Sequence, residues 1–247
     1  MHLEPGLLCV LLAAATLAAQ DGYPRKYRLD FSAARGTTRH DTGASLLDGD
    51  TDGDLLRLRF EGIGRMGLGG GLRVETWRSD DELFVGTGFP AQESSARALY
   101  GHFSYRVGSG RFLMPVRLGA MLHRYELENV ATSATSLQVD TYCTRFEVEP
   151  EFVFSRGARV EVSAYAGLGI GAGLSTAEDA TGSKFDTVST FWFAEVGARA
   201  RYEFAELGLA FVTHGMSMTD SDLLDDPGLE NFGAGFAGLM LTAAIVF

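Results

Sequence analysis

The sequence predicts an all-β chain, a ten-stranded antiparallel barrel that crosses a membrane, and three observations lead there. Apolar and polar residues alternate through segment after segment, which sets one strand face against apolar surroundings and the other against polar ones. After the first twenty residues, no stretch holds the roughly 18 uninterrupted apolar residues of a membrane-spanning helix. The last alternating segment, with Leu239, Leu241, Ala243 and Ile245 on one face, runs into the carboxy-terminal Phe247. A sheet ending in this way leaves an open edge unless its last strand pairs with its first, and lipid tolerates no open edge.

Ten segments carry the alternation. The first, 26–35, sets Tyr27, Leu29 and Phe31 on one face, the second, 54–63, sets Leu56, Leu58 and Phe60, and the third, 67–78, has Arg73 and Glu75 on its polar face. The fourth, 96–107, carries Leu99, Phe103, Tyr105 and Val107; the fifth, 111–125, carries Phe112, Met114, Val116 and Leu118. In the sixth, 136–154, the apolar face has Phe146, Val148, Phe152 and Phe154, and in the seventh, 158–173, it has Val160, Val162, Leu168 and Ile170. The eighth, 187–204, has Trp192, Val196, Tyr202 and Phe204; the ninth, 206–217, has Leu207, Leu209 and Phe211; the tenth is 232–247. Such segments exceed the about 5–6 residues usual in globular sheets, which counts against a soluble barrel with its apolar face inside. Eight strands is the nearest alternative count.

Connections alternate in length. Segments 36–53, 79–95, 126–135, 174–186 and 218–231 read as long loops, whereas 64–66, 108–110, 155–157 and the turn near Ala205 are tight. Long loops on one side, tight turns on the other and an even strand count place both chain ends on the tight-turn side. Tyr105, Phe112, Phe154, Tyr202 and Phe247 gather beside the tight turns, where a membrane interface holds aromatic rings. An apolar run at 7–17 followed by Ala18 and Ala19 reads as a secretory signal, giving 1–19 as signal and 20–247 as one barrel domain. Cys143 is then the only cysteine of the barrel, so no intramolecular disulfide is expected.

The faces opposite the apolar ones carry charge. Arg28, Arg57, Arg59, Arg73, Arg106, Arg111, Arg117, Arg145, Arg199 and Arg201 are expected to point inward with Asp30, Glu61, Glu75, Glu147, Glu149, Glu151, Glu161, Glu195 and Glu203. Enclosed charges are costly unless paired, and arginine suits planar pairing with carboxylates. The expected lumen is therefore crossed by ion pairs, which disfavours a wide pore.

The formal net charge of -11 is concentrated in the long loops, a surface that repels polyanions and attracts divalent cations. Nucleic-acid binding is excluded on that ground. Within the first loop, Asp48-Gly49-Asp50-Thr51-Asp52-Gly53-Asp54-Leu55 is similar to the opening of an EF-hand-type calcium loop, with carboxylates at positions 1, 3 and 5 and glycine at 6. Position 12 is Arg59 in place of the bidentate glutamate. Two readings stand: a truncated calcium site with Asp48, Asp50, Asp52 and Asp54 as ligands, or a solvated loop tip.

His102 and Ser104 share the inward face of the fourth strand. Lipid A deacylases use a His-x-Ser pair on a barrel strand, but theirs faces outward, so a structural role is expected here. Omptin proteases also have ten strands and work through rim carboxylates and an Asp-His pair. Asp80, Asp81, His123, Asp140 and His214 are the corresponding rim candidates, yet Val212 stands where an Asp-x-His pairing with His214 requires an aspartate. No catalytic residue is assigned.

With its signal, alternation, loop asymmetry and terminal Phe247, the chain resembles the small outer-membrane β-barrels of the OmpA-like and OmpW-like type. The resemblance implies a location in the outer membrane of a Gram-negative-type bacterium and contact with outer-membrane lipid and lipopolysaccharide. It also implies insertion by the barrel assembly machinery through the C-terminal strand, and a monomer. The expected role is non-enzymatic, structural or surface-presenting, with Ca2+ as the one candidate ligand. A narrow channel and a barrel-borne hydrolase are the alternatives.

Overall fold

The computed structural model describes residues 26–41, 49–64, 67–80, 83, 91–109, 111–157, 160–219 and 232–247. The expected signal, Asp48 and Asp81 lie outside the described residues. Eleven extended segments follow in order: β1 (Lys26–Asp41), β2 (Gly49–Ile63), β3 (Leu68–Ser79), β4 (Gln92–Ser109), β5 (Phe112–Asn129) and β6 (Thr135–Val148), then β7 (Glu151–Arg156), β8 (Val160–Asp179), β9 (Lys184–Tyr202), β10 (Ala205–Thr219) and β11 (Gly233–Val246).

Every pairing is antiparallel, and the order β4-β3-β2-β1-β11-β10-β9-β8 returns through β6 and β7 to β5, which pairs with β4. β6 and β7 form one stave interrupted at Glu149 and Pro150, because proline has no N–H to give the ladder. The wall stays bonded across the break: Glu149 N–H donates to the Pro115 carbonyl at 3.0 Å and Ala166 N–H to the Pro150 carbonyl at 3.0 Å. The barrel thus has ten staves. It closes where β1 pairs with β11, from Arg28 opposite Val246 to Asp41 opposite Gly233, and Tyr27 exchanges two backbone hydrogen bonds with Phe247.

Register sets the shape. Stepping between opposed residues from Gly62 on β2, the path passes Gly70, Phe103, Leu118, Phe146, Ile170, Trp192, Gly215, Gly235 and Arg39. It re-enters β2 at Asp50, twelve residues from its start. Ten staves with this stagger tilt about 40° from the barrel axis and hold the backbone about 10 Å from it.

The staves reverse their polarity part way up. On β2, Leu56 and Leu58 are exposed outside while Arg57, Arg59 and Glu61 are buried inside; above them Asp54, Asp52 and Asp50 face out and Leu55 is buried. On β5, Leu118 and Leu122 face out and Arg117 in, then Arg124 and Glu128 face out while Tyr125 and Leu127 are buried. The lower half meets lipid, which demands an apolar exterior, and the upper half stands in water, which demands a polar one.

This reversal corrects three boundaries. The expected loops 36–53, 126–135 and 174–186 shrink to 42–48, 130–134 and 180–183, because their polar residues are the outward face of strands continuing above the membrane. The 180–183 turn is organised locally. Asp179 Oδ1 accepts from the backbone N–H of Thr181 at 2.8 Å and of Ser183 at 2.9 Å, while Gly182 takes a φ of 83°, where a side chain would be strained. Those donors hold the Asp179 carboxyl below its ordinary range, with the Thr181 hydroxyl the largest contributor.

Tyr105, Phe112, Phe154, Tyr202 and Phe247 are all exposed at the tight-turn end, as an interfacial girdle requires. Leu241 lies within the apolar belt and is 67% exposed. Leu241→Arg is expected to destabilise the barrel by about 2–4 kcal/mol in lipid vesicles, as for a charge near the bilayer midplane. Glu128→Arg, above the belt, should cost almost nothing; urea titration of both variants checks the difference.

Candidate functional site

The bore is the candidate site, and it is filled in two ways. At membrane level the inward charges join. Glu149 accepts from Arg199 at 2.6 Å, Arg117 at 2.9 Å and Arg59 at 3.2 Å. Arg59 also holds Asp30 at 2.7 Å, and Arg117 grips both oxygens of Glu61 at 3.0 and 2.9 Å. Further up, Arg57 bridges Glu75 and Glu195, each at 2.7 Å, while Glu147 takes Arg145 at 2.6 Å and a second, close contact from Arg73. Residues from six staves meet near the axis because the radius of about 10 Å lets long side chains span it.

Phe193 sits among these charges. The guanidinium groups of Arg145, Arg73 and Arg57 lie 5.0, 5.3 and 5.5 Å from its ring centre, and Arg199 lies 3.5 Å from the ring centre of Tyr165. Rings spread the cationic charge where a further carboxylate would not fit. Sequence reasoning missed Phe193; its signal was the parity shared with Glu195 on the inward face of β9.

Above the lattice the interior turns apolar. Trp77, Tyr125 and Phe232 are buried, and Tyr125 lies 5.9 Å from Trp77 and 5.2 Å from Phe232, centre to centre. His40 is inserted among them, 6.2 Å from the Trp77 ring. Its Nδ1 meets the Tyr125 hydroxyl at 2.9 Å and its Nε2 the Ser94 hydroxyl at 3.1 Å. Ser94 is fastened to the wall, its backbone N–H donating to Ser79 Oγ at 2.9 Å.

Among the described residues, the bore retains two cavities. One of about 20 Å³, room for a single water, lies among Glu75, His123, Arg145 and His214 beneath the aromatic cap. The other, about 90 Å³, opens among Arg106, Glu151, Glu161 and Arg201 at the tight-turn end.

The structure separates most of the residues singled out from sequence. Asp50, Asp52 and Asp54 occupy alternate positions on the outer face of β2, opposite Arg39, Thr37 and Arg35 of β1. An extended strand spaces alternate side chains about 7 Å apart, so these three form an acidic edge on the wall, while Asp48, the fourth expected ligand, lies outside the described residues. Among the described residues no three His, Cys, Asp or Glu side chains gather as a metal site. His102 and Ser104 are buried inward beside Gly71 and Gly69 of β3, where a Cβ would meet the Phe60 and Gly62 carbonyl oxygens of β2 at 2.3 and 2.1 Å, ahead of the His102 ring at 3.0 Å and Ser104 Oγ at 2.9 Å. The glycines are thus explained by close approach. Of the rim candidates, Asp80 and Asp140 face outward, bonded to Arg35 at 2.9 Å and Arg124 at 2.6 Å. His214 faces inward, 3.5 Å from Glu75. Cys143 is buried and unpaired.

A closed barrel with an apolar girdle is the architecture of outer-membrane barrel proteins, and this chain has that architecture. No protein-family model matches the chain, and no curated protein does. Solved structures similar to it include the outer membrane protease OmpT from Escherichia coli, with 8% identity, TM-score 0.42, and coverage of 90% of this chain and 96% of that one. A major outer membrane protein from Thermus thermophilus has 12% identity, TM-score 0.41, and coverage of 91% and 100%. Neisserial surface protein A has 12% identity, TM-score 0.35, and coverage of 90% and 99%.

Glu149→Gln takes the shared carboxylate charge from three guanidinium groups, each left with its other acidic neighbours, and is expected to cost about 3 kcal/mol of unfolding free energy, the low end for removing one member of a buried ionic network. Tyr125→Phe removes one hydrogen bond from His40 and should cost about 1–2 kcal/mol. Equilibrium denaturant unfolding in vesicles measures both.

Proposed function

We propose that this chain is a non-enzymatic outer-membrane barrel with a sealed bore, which strengthens the envelope and presents an acidic surface outside the cell. The observation that carries this reading is the double filling of the bore: a salt-bridged lattice at membrane level and an aromatic cap above it. A solute must break charge pairs in the first and displace packed rings in the second. On the same reading the barrel is a monomer, inserted through its C-terminal strand by the barrel assembly machinery.

The arrangement of Ser94, His40 and Tyr125 supports a structural role over a hydrolytic one. The Tyr125 hydroxyl meets His40 Nδ1 and the Ser94 hydroxyl meets Nε2, and hydroxyls serve either tautomer of the ring. A nucleophilic serine needs Nδ1–H held by a carboxylate-type acceptor that stabilises the imidazolium, and here the partner of Nδ1 is a phenol. All three residues are buried.

Planar-bilayer recording tests the reading. The wild type should give no large, stable conductance steps, and Trp77→Ala with Tyr125→Ala should raise the frequency of small openings. A large, weakly selective conductance from the wild type overturns the sealed bore in favour of a channel.

A further inference from the structure

We propose that a groove on the outer wall, crossing β9, β10, β11 and β1 above the apolar belt, binds an uncharged oligosaccharide. The groove holds about 550 Å³, within the range of small-molecule sites. It follows one row of opposed residues: Trp192, Gly215, Gly235, Arg39 and, on β2, Asp50. Below it, Phe211 and Leu239 are the uppermost large apolar residues on the outer faces of β10 and β11. Beyond them the outward positions are Thr213, Gly215 and Ser217 on one strand and Ala237, Gly235 and Gly233 on the other.

Close packing leaves the floor bare. A Cβ at Gly215 would lie 2.8 Å from Trp192 Nε1 and 3.0 Å from its Cε2, and one at Gly235 would lie 2.7 Å from the His214 carbonyl oxygen. Two staves therefore carry no side chain along this row, while the staves that bear Trp192 and Arg39 stand three strand spacings, about 14 Å, apart. The groove is a flat strip of peptide with an indole on one bank and a guanidinium on the other. Its banks hold unused polar groups. Arg39 and Asp50 are exposed and directly opposed, yet no ion pair or hydrogen bond joins them, and among the described residues neither has another partner. Trp192 is 48% exposed, and among the described residues its N–H has no acceptor.

These groups select the ligand. An anion is disfavoured, because Asp50 faces Arg39 and Asp52 follows on the same outer face, which makes the local charge negative. A purely apolar chain would cover Arg39, Asp50 and the indole N–H without satisfying them. A peptide strand finds no free edge, since β10, β11 and β1 spend their backbone groups on one another. A neutral sugar meets every requirement: its C–H face rests against the indole, and its hydroxyls donate to Asp50 and accept from Arg39 and Trp192 Nε1. The inference extends the surface-presenting part of the proposed role and does not depend on the sealed bore, which bilayer recording tests separately.

The test uses the refolded full barrel in an amine-oxide detergent, free of sugar headgroups, and isothermal titration calorimetry. The neutral probes are maltotriose, lactose and N,N′-diacetylchitobiose, with trigalacturonic acid as a charged sugar of similar size. At least one neutral probe should bind with a Kd below about 10 mM and shift the emission of Trp192, the other tryptophan, Trp77, being buried. Arg39→Gln with Asp50→Asn should weaken that binding about tenfold, the equivalent of one charge-assisted hydrogen bond. Arg97→Gln, on the outer face of β4, should leave it unchanged. Heat-modifiable gel migration confirms folding of each variant, and Ala237→Phe, which fills the groove, serves if the double variant does not fold. No binding of any neutral probe up to about 10 mM, equal binding by wild type and variant, or tighter binding of trigalacturonic acid each overturns the proposal.

Discussion

Closure of the sheet in lipid is the constraint from which the rest of the structure follows. Hydrocarbon offers no hydrogen bonds, so every N–H and C=O at membrane depth must be paired within the wall. The wall meets this requirement even at Pro115 and Pro150, whose carbonyls accept from neighbouring staves although their nitrogens cannot donate. Once ten staves close with a stagger of twelve residues, the bore has a fixed width. Arginine and glutamate reach across that width from opposite walls and meet near the axis, as Arg57 does with Glu195 and Arg59 with Glu149.

The solvent outside each part of the barrel decides what fills the inside. A strand has two faces, and at membrane level lipid claims the apolar one, leaving charge for the bore. Charge taken out of water is tolerable only when paired and hydrogen-bonded, and the lattice round Glu149 satisfies that condition. Above the membrane the exterior must be wettable, which frees Leu55, Trp77, Tyr125 and Phe232 to build a dry core within the same tube. The two fillings sit on the same staves without a linker or domain boundary. His40 shows how polar groups survive in the upper filling, with both ring nitrogens engaged by hydroxyls.

Much of this was legible in the chain because period-two alternation reports strands whichever face is apolar. The girdle aromatics, the closing pair at Tyr27 and Phe247, and the inward parity of Arg59, Arg117, Glu147 and Glu149 all follow from it. Misreadings arose where the phase of hydrophobicity reversed while the period did not. Glu126 and Glu128 beside Tyr125 and Leu127 look like the start of a polar loop when lipid is assumed outside, and like a strand once water is. Asp50, Asp52 and Asp54 carry the same ambiguity: alternate carboxylates occur both in a chelating loop and on the wet face of a strand.

The sequence by itself determined that strands form, how many there are, which side chains share a face, and that the sheet must close in a membrane, because these depend on near neighbours along the chain and on the solvent each face needs. Tertiary structure alone decided which charges pair, since Arg59 and Glu149 come from staves that neither adjoin nor follow one another. It also decided that Phe193 would lie among three guanidinium groups and that Ser94, His40 and Tyr125 would meet beneath the outer rim. Those contacts cross the bore, and their geometry is set by stagger and radius, which are properties of the closed barrel and of no single strand.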